Sequence, residues 1–387
     1  MPDVHAVLSA SGSKRWLSCP PSARLEQKFP EKEEKDFAAE GTYAHSMAEY
    51  ILTRFIKGEP ENLSLFDNES PFYSAEMVDY VREYTDACEE KIMQARATDE
   101  GSIAMVEQRL DFSEFVPRGF GTGDCVIISD GLLEIVDLKY GKGVKVEAEG
   151  NTQLQLYALG AISAFSPVYD FDKVRMTIVQ PRNGGISEQT KTVKELLAWG
   201  ESVKPIAKLA IEGKGDFKAG EHCRFCRAAP RCKALADYNM ELAKLEFKDI
   251  DLLTDEEVAD VLSRVDGLKH YADMIARYAL QEALSGQKKW PGYKLVAGRS
   301  RRVYKDAGAA GKALLAAGYS EDKIYKKELL GITDMTKLLT RKKFDELLGD
   351  YIEKPMGKPT LVPSSDKRPE YNPAAKDFTD LDKENEK

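Results

Sequence analysis

The stretch GFGTGDCVIISDGLLEIVDLKYGKG, residues 119–143, decides the fold. Two apolar runs, DCVIIS and LLEIVDLKY, flank Ser129-Asp130-Gly131, and Asp-Gly between apolar runs is a strong signal for a β-hairpin. Side chains alternate along a strand, so Leu133, Ile135, Asp137 and Lys139 share one face. Leu133 and Ile135 suit a core, yet the same face ends in a carboxylate and an ammonium. Ionisable groups at the end of a buried face are costly unless a ligand sits there. Counting back through the turn, Asp124 lies across the hairpin from about position 137. Two carboxylates and a lysine therefore converge. By spacing alone, an ordinary Asp–Lys pair at a sheet edge fits the same residues.

Working outward, IAMVEQRLDF from Ile103 reads as the first strand of a three-stranded meander. Before it come a short helical pattern around Lys14–Arg24, the charged run EKEEKD, a helix starting near Gly41–Thr42, and a helix across Ser74–Ala95. After it come a helix at Asn151–Phe165, a strand at Lys173–Pro181 and a helix near Val193–Ile211. This order predicts an α/β fold with a mixed central sheet flanked by helices. Beyond residue 240, Thr254 and Glu257 form a capping box opening a long helix to about Leu284. WPGYKLVAGRSRRVY reads as a small hairpin, followed by further helices to about Tyr351. The expected organisation is a domain over 1–240, a mainly helical region over 241–352 and a disordered tail over 353–387.

The 387 residues carry 42% hydrophobic and 31% charged side chains, a composition ordinary for a globular protein with a sizeable core. No apolar run is long enough for a bilayer, and MPDVHAVLSASGSKRW lacks the apolar core of a signal peptide. A cytoplasmic location is the expectation. Net charge −9 argues against a protein that coats nucleic acid by electrostatics alone. It leaves room for a nuclease, whose bound cations offset phosphate repulsion. KYGKGVK lacks the spacing and the Ser/Thr of a Walker A loop, which excludes an ATP-driven helicase built on that motif.

The carboxylate–lysine cluster has company. His45 lies in G-T-x-x-H-x-x-x-E with Glu49 one turn later, although a lone histidine is more often structural. Gln153 and Tyr157 share a helix face at i, i+4, and Glu107 is a further acidic residue on the preceding strand. Hydrolysis of a phosphodiester needs a hard cation held by oxygen ligands. Asp124 and Asp137 would supply such oxygens, and Lys139 would orient water or stabilise charge on the phosphate. Gly41-Thr42-x-x-His45, Gly-x-Gly-Asp124, Asp137-x-Lys139 and Gln153-x-x-x-Tyr157, in that order, resemble the motif set of the PD-(D/E)XK superfamily, and within it the RecB-like nucleases. The resemblance covers roughly residues 9–235. It implies a restriction-endonuclease-like core and Mg²⁺ or Mn²⁺ held by His45, Asp124 and Asp137. It also implies Lys139 as a catalytic residue beside Asp124 and Asp137, with Gln153 and Tyr157 bordering the DNA. By family analogy, an exonuclease that processes DNA ends is the expected activity.

Cys223-x-x-Cys226-x5-Cys232 has metal-ligand spacing. Cys19, Cys88, Cys125 and His222 are candidates for a fourth ligand, and zinc and iron–sulfur both accept four cysteines. Cys125, next to Asp124, and Cys88, mid-helix, read as core residues. RecB-like nucleases of the AddB and CRISPR-associated kinds hold a [4Fe–4S] cluster by one cysteine before the core and three after it. The resemblance therefore implies Cys19, Cys223, Cys226 and Cys232 as cluster ligands, with Zn²⁺ as the alternative. RWLSCPPSARLE near the start and KPTLVPSSDKRP near the end resemble a phage-encoded family of uncharacterised proteins. That likeness implies a role in phage DNA replication or recombination, with DNA and recombination or single-strand-binding proteins as partners and none in a membrane. Arg299, Arg301, Arg302 and Lys305 form a basic patch that fits DNA contact or a charged edge strand equally. Tyr293 and Tyr304 suit base stacking or, more simply, a core. Two rival readings are a non-catalytic DNA-binding scaffold that keeps the fold and a zinc-stabilised adaptor working through its C-terminal helices.

Overall fold

The computed structural model describes residues 6–30, 36–66, 70–243, 254–296, 306–317, 320–326, 329–339 and 341–353. The chain runs α1 (Ser13–Ser18), α2 (Ser22–Leu25), α3 (Asp36–Lys57), α4 (Ala75–Thr98), β1 (Ile103–Asp111), β2 (Phe120–Ser129) and β3 (Gly131–Leu138). It continues through α5 (Thr152–Phe165), β4 (Phe171–Gln180), β5 (Gly185–Thr192) and α6 (Val193–Glu212). The later helices are α7 (Lys233–Ala243), α8 (Asp255–Leu284), α9 (Ala307–Ala316), α10 (Glu321–Ile324), α11 (Ile332–Leu338) and α12 (Arg341–Leu348). Among the described residues no helix is long and apolar enough to cross a membrane.

The five strands form one mixed sheet in the order β1-β2-β3-β4-β5. The Asp-Gly turn forms as the sequence predicts: Gly131 takes φ 74°, a conformation that suits glycine. The hairpin register places Cys125 opposite Val136 and Ile128 opposite Leu133. One step further, Asp124 comes opposite Asp137. β3 and β4 are parallel, and α5 makes the crossover between them. The Asn151 side chain caps α5 by accepting from the Gln153 and Leu154 N–H groups.

Each face of the sheet buries its own core. On one side α5 and α6 cover Leu110, Val126, Leu133, Ile135 and Met176, and Trp16 of α1 joins them. On the other, α3 contributes Ala44, Met47, Ala48, Ile51 and Leu52, the helical spacing of a buried stripe. α4 adds Met77, Val81, Tyr84, Cys88 and Ile92 against Cys125, Ile127, Val136 and Leu138. Cys88 and Cys125 are core residues, as expected.

Three features differ from the sequence expectation. α3 begins at Asp36, inside the charged run, rather than near Gly41. β5 lies at 185–192, where no strand was expected; its more covered positions are Ser187, Gln189 and Lys191, so apolar alternation is absent. The described part of the proposed hairpin, 290–296, contains a turn and no strand. Arg299, Arg301, Arg302, Tyr304 and Lys305 lie outside the described residues, as does the expected tail from 354 on; Tyr293 is 84% exposed. Helices α11 and α12 pack back on α4. The Arg341 N–H donates to Asp79 Oδ2 at 2.6 Å and its guanidinium pairs with Glu83 at 2.7 Å, which ties α12 to α4.

Candidate active site

The site forms where the sheet loses its regular alternation. Ala104 and Val106 of β1 pack with the α3–α4 core, whereas Leu110, of the same parity, packs with the α5–α6 core. Side chains of one strand cannot serve both faces at one parity without a break. The break falls at Glu107, which has φ 49°, and the pairing of β1 with β2 is regular on either side of it, at Val106–Cys125 and Gln108–Gly123. A left-handed glutamate in a strand carries local strain of about 1–3 kcal/mol. Asp124 is the residue of β2 that faces this break.

Around it the sequence-predicted residues gather. The Asp124 Oδ2 accepts the Leu138 N–H at 2.7 Å, and His45 Nδ1 lies 3.6 Å from the same oxygen. Asp137 is 2% exposed. Its Oδ1 accepts from Gln153 Nε2 at 3.1 Å, and its Oδ2 has the Lys139 Nζ at 2.7 Å as an ion pair without an aligned hydrogen bond. Lys139 also donates to Gln153 Oε1, and Gln153 donates to the Tyr157 hydroxyl, both at 3.1 Å. Gln153 thus ties carboxylate, ammonium and phenol together. Tyr157 is 7% exposed, so its ring belongs to the core and it reaches the site through Gln153.

The two glycines before Asp124 serve this packing. A Cβ on Gly121 would lie 2.6 Å from the Tyr157 Cε1, and one on Gly123 would lie 3.0 Å from the Leu110 Cδ1. The Gly-x-Gly-Asp pattern leaves room for the tyrosine that supports Gln153.

Electrostatics mark the cluster as unrelieved. Burial and the neighbouring Asp137 charge hold Asp124 well above the usual carboxylate range. Burial, Glu49 and Asp137 lift Glu107 to about 7. Burial lowers His45, so its imidazole is neutral and free to act as a ligand at neutral pH. Burial opposes the charge on Lys139, but Asp137 outweighs it and keeps the ammonium protonated. Among the described residues, the His, Cys, Asp and Glu side chains whose ligand atoms cluster in a group of three within 4.8 Å of one another are His45, Glu107 and Asp124. Asp137, expected as a ligand, stands beside this group, engaged with Lys139 and Gln153. Glu107, flagged in the sequence only as an acidic neighbour, is in it. The cluster opens into a cleft of about 550 Å³, walled by Gly41, Thr42 and His45 of α3 on one side and by Gly141, Gly143 and Val144 on the other.

The cysteines lie elsewhere, where the N-terminal segment meets the chain after α6. Cys19 and Cys226 are buried, and Cys223 and Cys232 are half-buried. Burial raises the Cys223 thiol, with added contributions from Cys232 and Cys19, and burial and Glu26 push Cys226 up to about 12. Glu26 joins the two segments. It is 4% exposed, pairs with Arg15 at 2.5 Å and accepts the Arg227 N–H at 2.6 Å. Tyr271 and Met274 of α8 cover the same cluster.

A solved structure described as the crystal structure of SSO0001 is similar over 56% of this chain and 95% of its own, at 14% identity and a TM-score of 0.25. That likeness is too distant to carry a statement about fold or activity. A family model described as "Protein of unknown function (DUF2800)" matches residues 5–369. Nearly the whole sequence is spanned by that match, and the chain belongs to the DUF2800 family.

Proposed function

We propose that this chain is a divalent-metal-dependent deoxyribonuclease with a RecB-like PD-(D/E)XK core. One observation carries the reading: the ends of two paired strands bring Asp124, Asp137 and Lys139 together with His45 and Glu107, at a strained break in the sheet that opens into a cleft. A purely structural site has no need to hold Asp124 and Glu107 against such electrostatic cost, and a cation relieves it. The donor set, one imidazole and carboxylates, suits Mg²⁺ or Mn²⁺.

His45, Asp124 and Glu107 would hold the ion, with Asp137 presenting Oδ2 beside them. When bound, Mg²⁺ or Mn²⁺ supplies a Lewis acid for the phosphate and lowers the pKa of coordinated water. The chain's own residues do the rest. Lys139, fixed between Asp137 and Gln153, places a positive charge where negative charge builds on the phosphate, and it orients the attacking water. Gln153 fixes the position of Lys139, and Tyr157 fixes Gln153. Processing of DNA ends, in replication or recombination of phage DNA, is the proposed setting.

The resemblance to RecB-like nucleases favours a [4Fe–4S] cluster at the cysteines, with Zn²⁺ as the alternative, since both accept four cysteine ligands. Cys19, Cys223, Cys226 and Cys232 would hold it as a structural staple.

Cleavage of end-labelled linear DNA with Mg²⁺ or Mn²⁺ tests the proposal. Metal-dependent degradation that is lost in Asp124→Ala and Asp137→Ala supports it. Cleavage unaffected by both substitutions, or none by anaerobically purified wild type, overturns it.

A further inference from the structure

We propose that residues 141–146, GKGVKV, form a clamp for the phosphates of a single DNA strand entering the cleft, and that Gln180 is the positioning residue that holds the clamp in place. The identity of the bound strand rests on the nuclease reading above. The segment follows Lys139 and Tyr140 directly, and Gly141, Gly143, Val144 and Val146 line the cleft together with Gln180.

This segment has no regular secondary structure, yet its backbone is pinned from the side. Gln180 is 2% exposed and spends its whole amide on it. Its Nε2 donates to the Gly141 carbonyl at 3.1 Å and the Val144 carbonyl at 2.9 Å, and its Oε1 accepts the Val146 N–H at 2.9 Å. Asn183 donates to the Lys142 carbonyl at 3.1 Å. Further along, the Ala148 and Gly150 N–H groups donate to Ser187 and Gln189 of β5, each at 3.0 Å. Backbone groups that a ladder would normally satisfy are satisfied by side chains of β4, β5 and the turn between them. The polar covered face of β5 is explained by this service.

The sequence of the segment is suited to a phosphate backbone. Gly141 and Gly143 have no left-handed φ, and a Cβ on either would meet nothing within 4 Å. No internal contact demands a glycine there, and glycine costs chain entropy. Close approach of a ligand to the backbone accounts for both. Lys142 between them is exposed and makes no ion pair among the described residues. Lys145 is also exposed, paired with Glu147 at 2.5 Å. Tyr140, which also lines the cleft, is 4% exposed and has the Arg182 guanidinium over its ring at 4.6 Å, so it offers no open face for a base to stack on. The cleft volume of about 550 Å³ lies in the range of small-ligand pockets. A cleft of this size, lined along one wall by this segment, engages the backbone of one strand at a time.

The test is binding of a labelled single-stranded oligonucleotide in chelator, by anisotropy across a salt series, so that cleavage plays no part. Lys142→Ala is expected to lower affinity about three- to tenfold and to reduce the slope of log K against log salt by about 0.7. Lys142→Ala/Lys145→Ala should reduce that slope by about twice as much, and unlabelled duplex should compete poorly. In a separate cleavage assay with Mn²⁺, Gln180→Leu, with both lysines present, should raise KM for DNA about tenfold while kcat changes less than about twofold. If Gln180→Leu fails to fold, the lysine variants still decide. An unchanged slope in the double variant, duplex competing as well as single strand, or no binding by wild type overturns the clamp. Wild type that cuts DNA while the slope stays unchanged sinks the clamp alone. Wild type that never cuts, while the lysine variants lose slope as described, leaves the clamp standing and sinks the nuclease reading.

Discussion

Replacing Glu107 by Gln is expected to stabilise the metal-free protein at pH 8 and to leave it unchanged near pH 4.5. Burial, followed by the Glu49 and Asp137 charges, lifts the folded-state carboxyl from 4.5 to about 7. Below pH 4.5 the group is protonated in both folded and unfolded chains, and no difference arises. As pH rises through 4.5 the unfolded chain releases its proton first, so the folded state loses relative stability until about pH 7, above which the loss is complete. At about 1.4 kcal/mol per pH unit, the interval sets an upper limit of about 3.4 kcal/mol. Glu107 is only half-buried, and solvent screening reduces this to about 1–2 kcal/mol. Glutamine removes the penalty, which for a chain of this size raises Tm by about 1–3 °C at pH 8. Calorimetry in chelator from pH 4.5 to 8 reads the effect. Saturating Mn²⁺ should invert the order, because wild type keeps a ligand that the variant has lost. A variant less stable than wild type at pH 8 in chelator, or a gain of equal size at pH 4.5, would refute the electrostatic reasoning.

Gly121→Ala puts a methyl 2.6 Å from the Tyr157 ring. Urea unfolding should show a loss of about 1–3 kcal/mol, and DNA cleavage should fall as Gln153 shifts with the tyrosine; a fully stable, fully active variant would show that the glycine serves neither. Cys226→Ser should lose the iron absorbance and lower Tm together; a folded, iron-free and fully active protein would remove the staple from the proposal.

The hairpin was legible because every signal agreed: Asp-Gly at the turn, apolar runs either side, and a face that ends in Asp137 and Lys139. Its register followed from counting, and the pairing of Cys125 with Val136 bears it out. His45 and Gln153 meet the cluster where the motif order placed them. The parity break at Glu107 was not legible, since IAMVEQRLDF runs from four apolar residues into three polar ones with no clean alternation to interrupt, and only the split between two cores exposes it. β5 was invisible for a different reason. Its covered side chains are polar because they bond the 146–150 segment and α5 rather than filling a core, as in Lys191 donating to Gln155 at 2.8 Å. Gln180 likewise reads as the polar end of an apolar strand, and its three hydrogen bonds to a distant loop leave no mark in the sequence. The docking of α12 on α4 depends on contacts between residues more than 250 positions apart, such as Arg341 with Asp79.

The most direct measurement is single-turnover cleavage of linear DNA by wild type and Lys139→Ala, with bound Mn²⁺ quantified in the same samples. His45, Asp124 and Glu107 remain in both proteins, so both should bind the ion, and loss of the ammonium should slow cleavage by about 100-fold or more. Lys139→Ala cutting at the wild-type rate, or wild type that binds Mn²⁺ and leaves DNA intact, would contradict the assignment of this cluster as a nuclease centre.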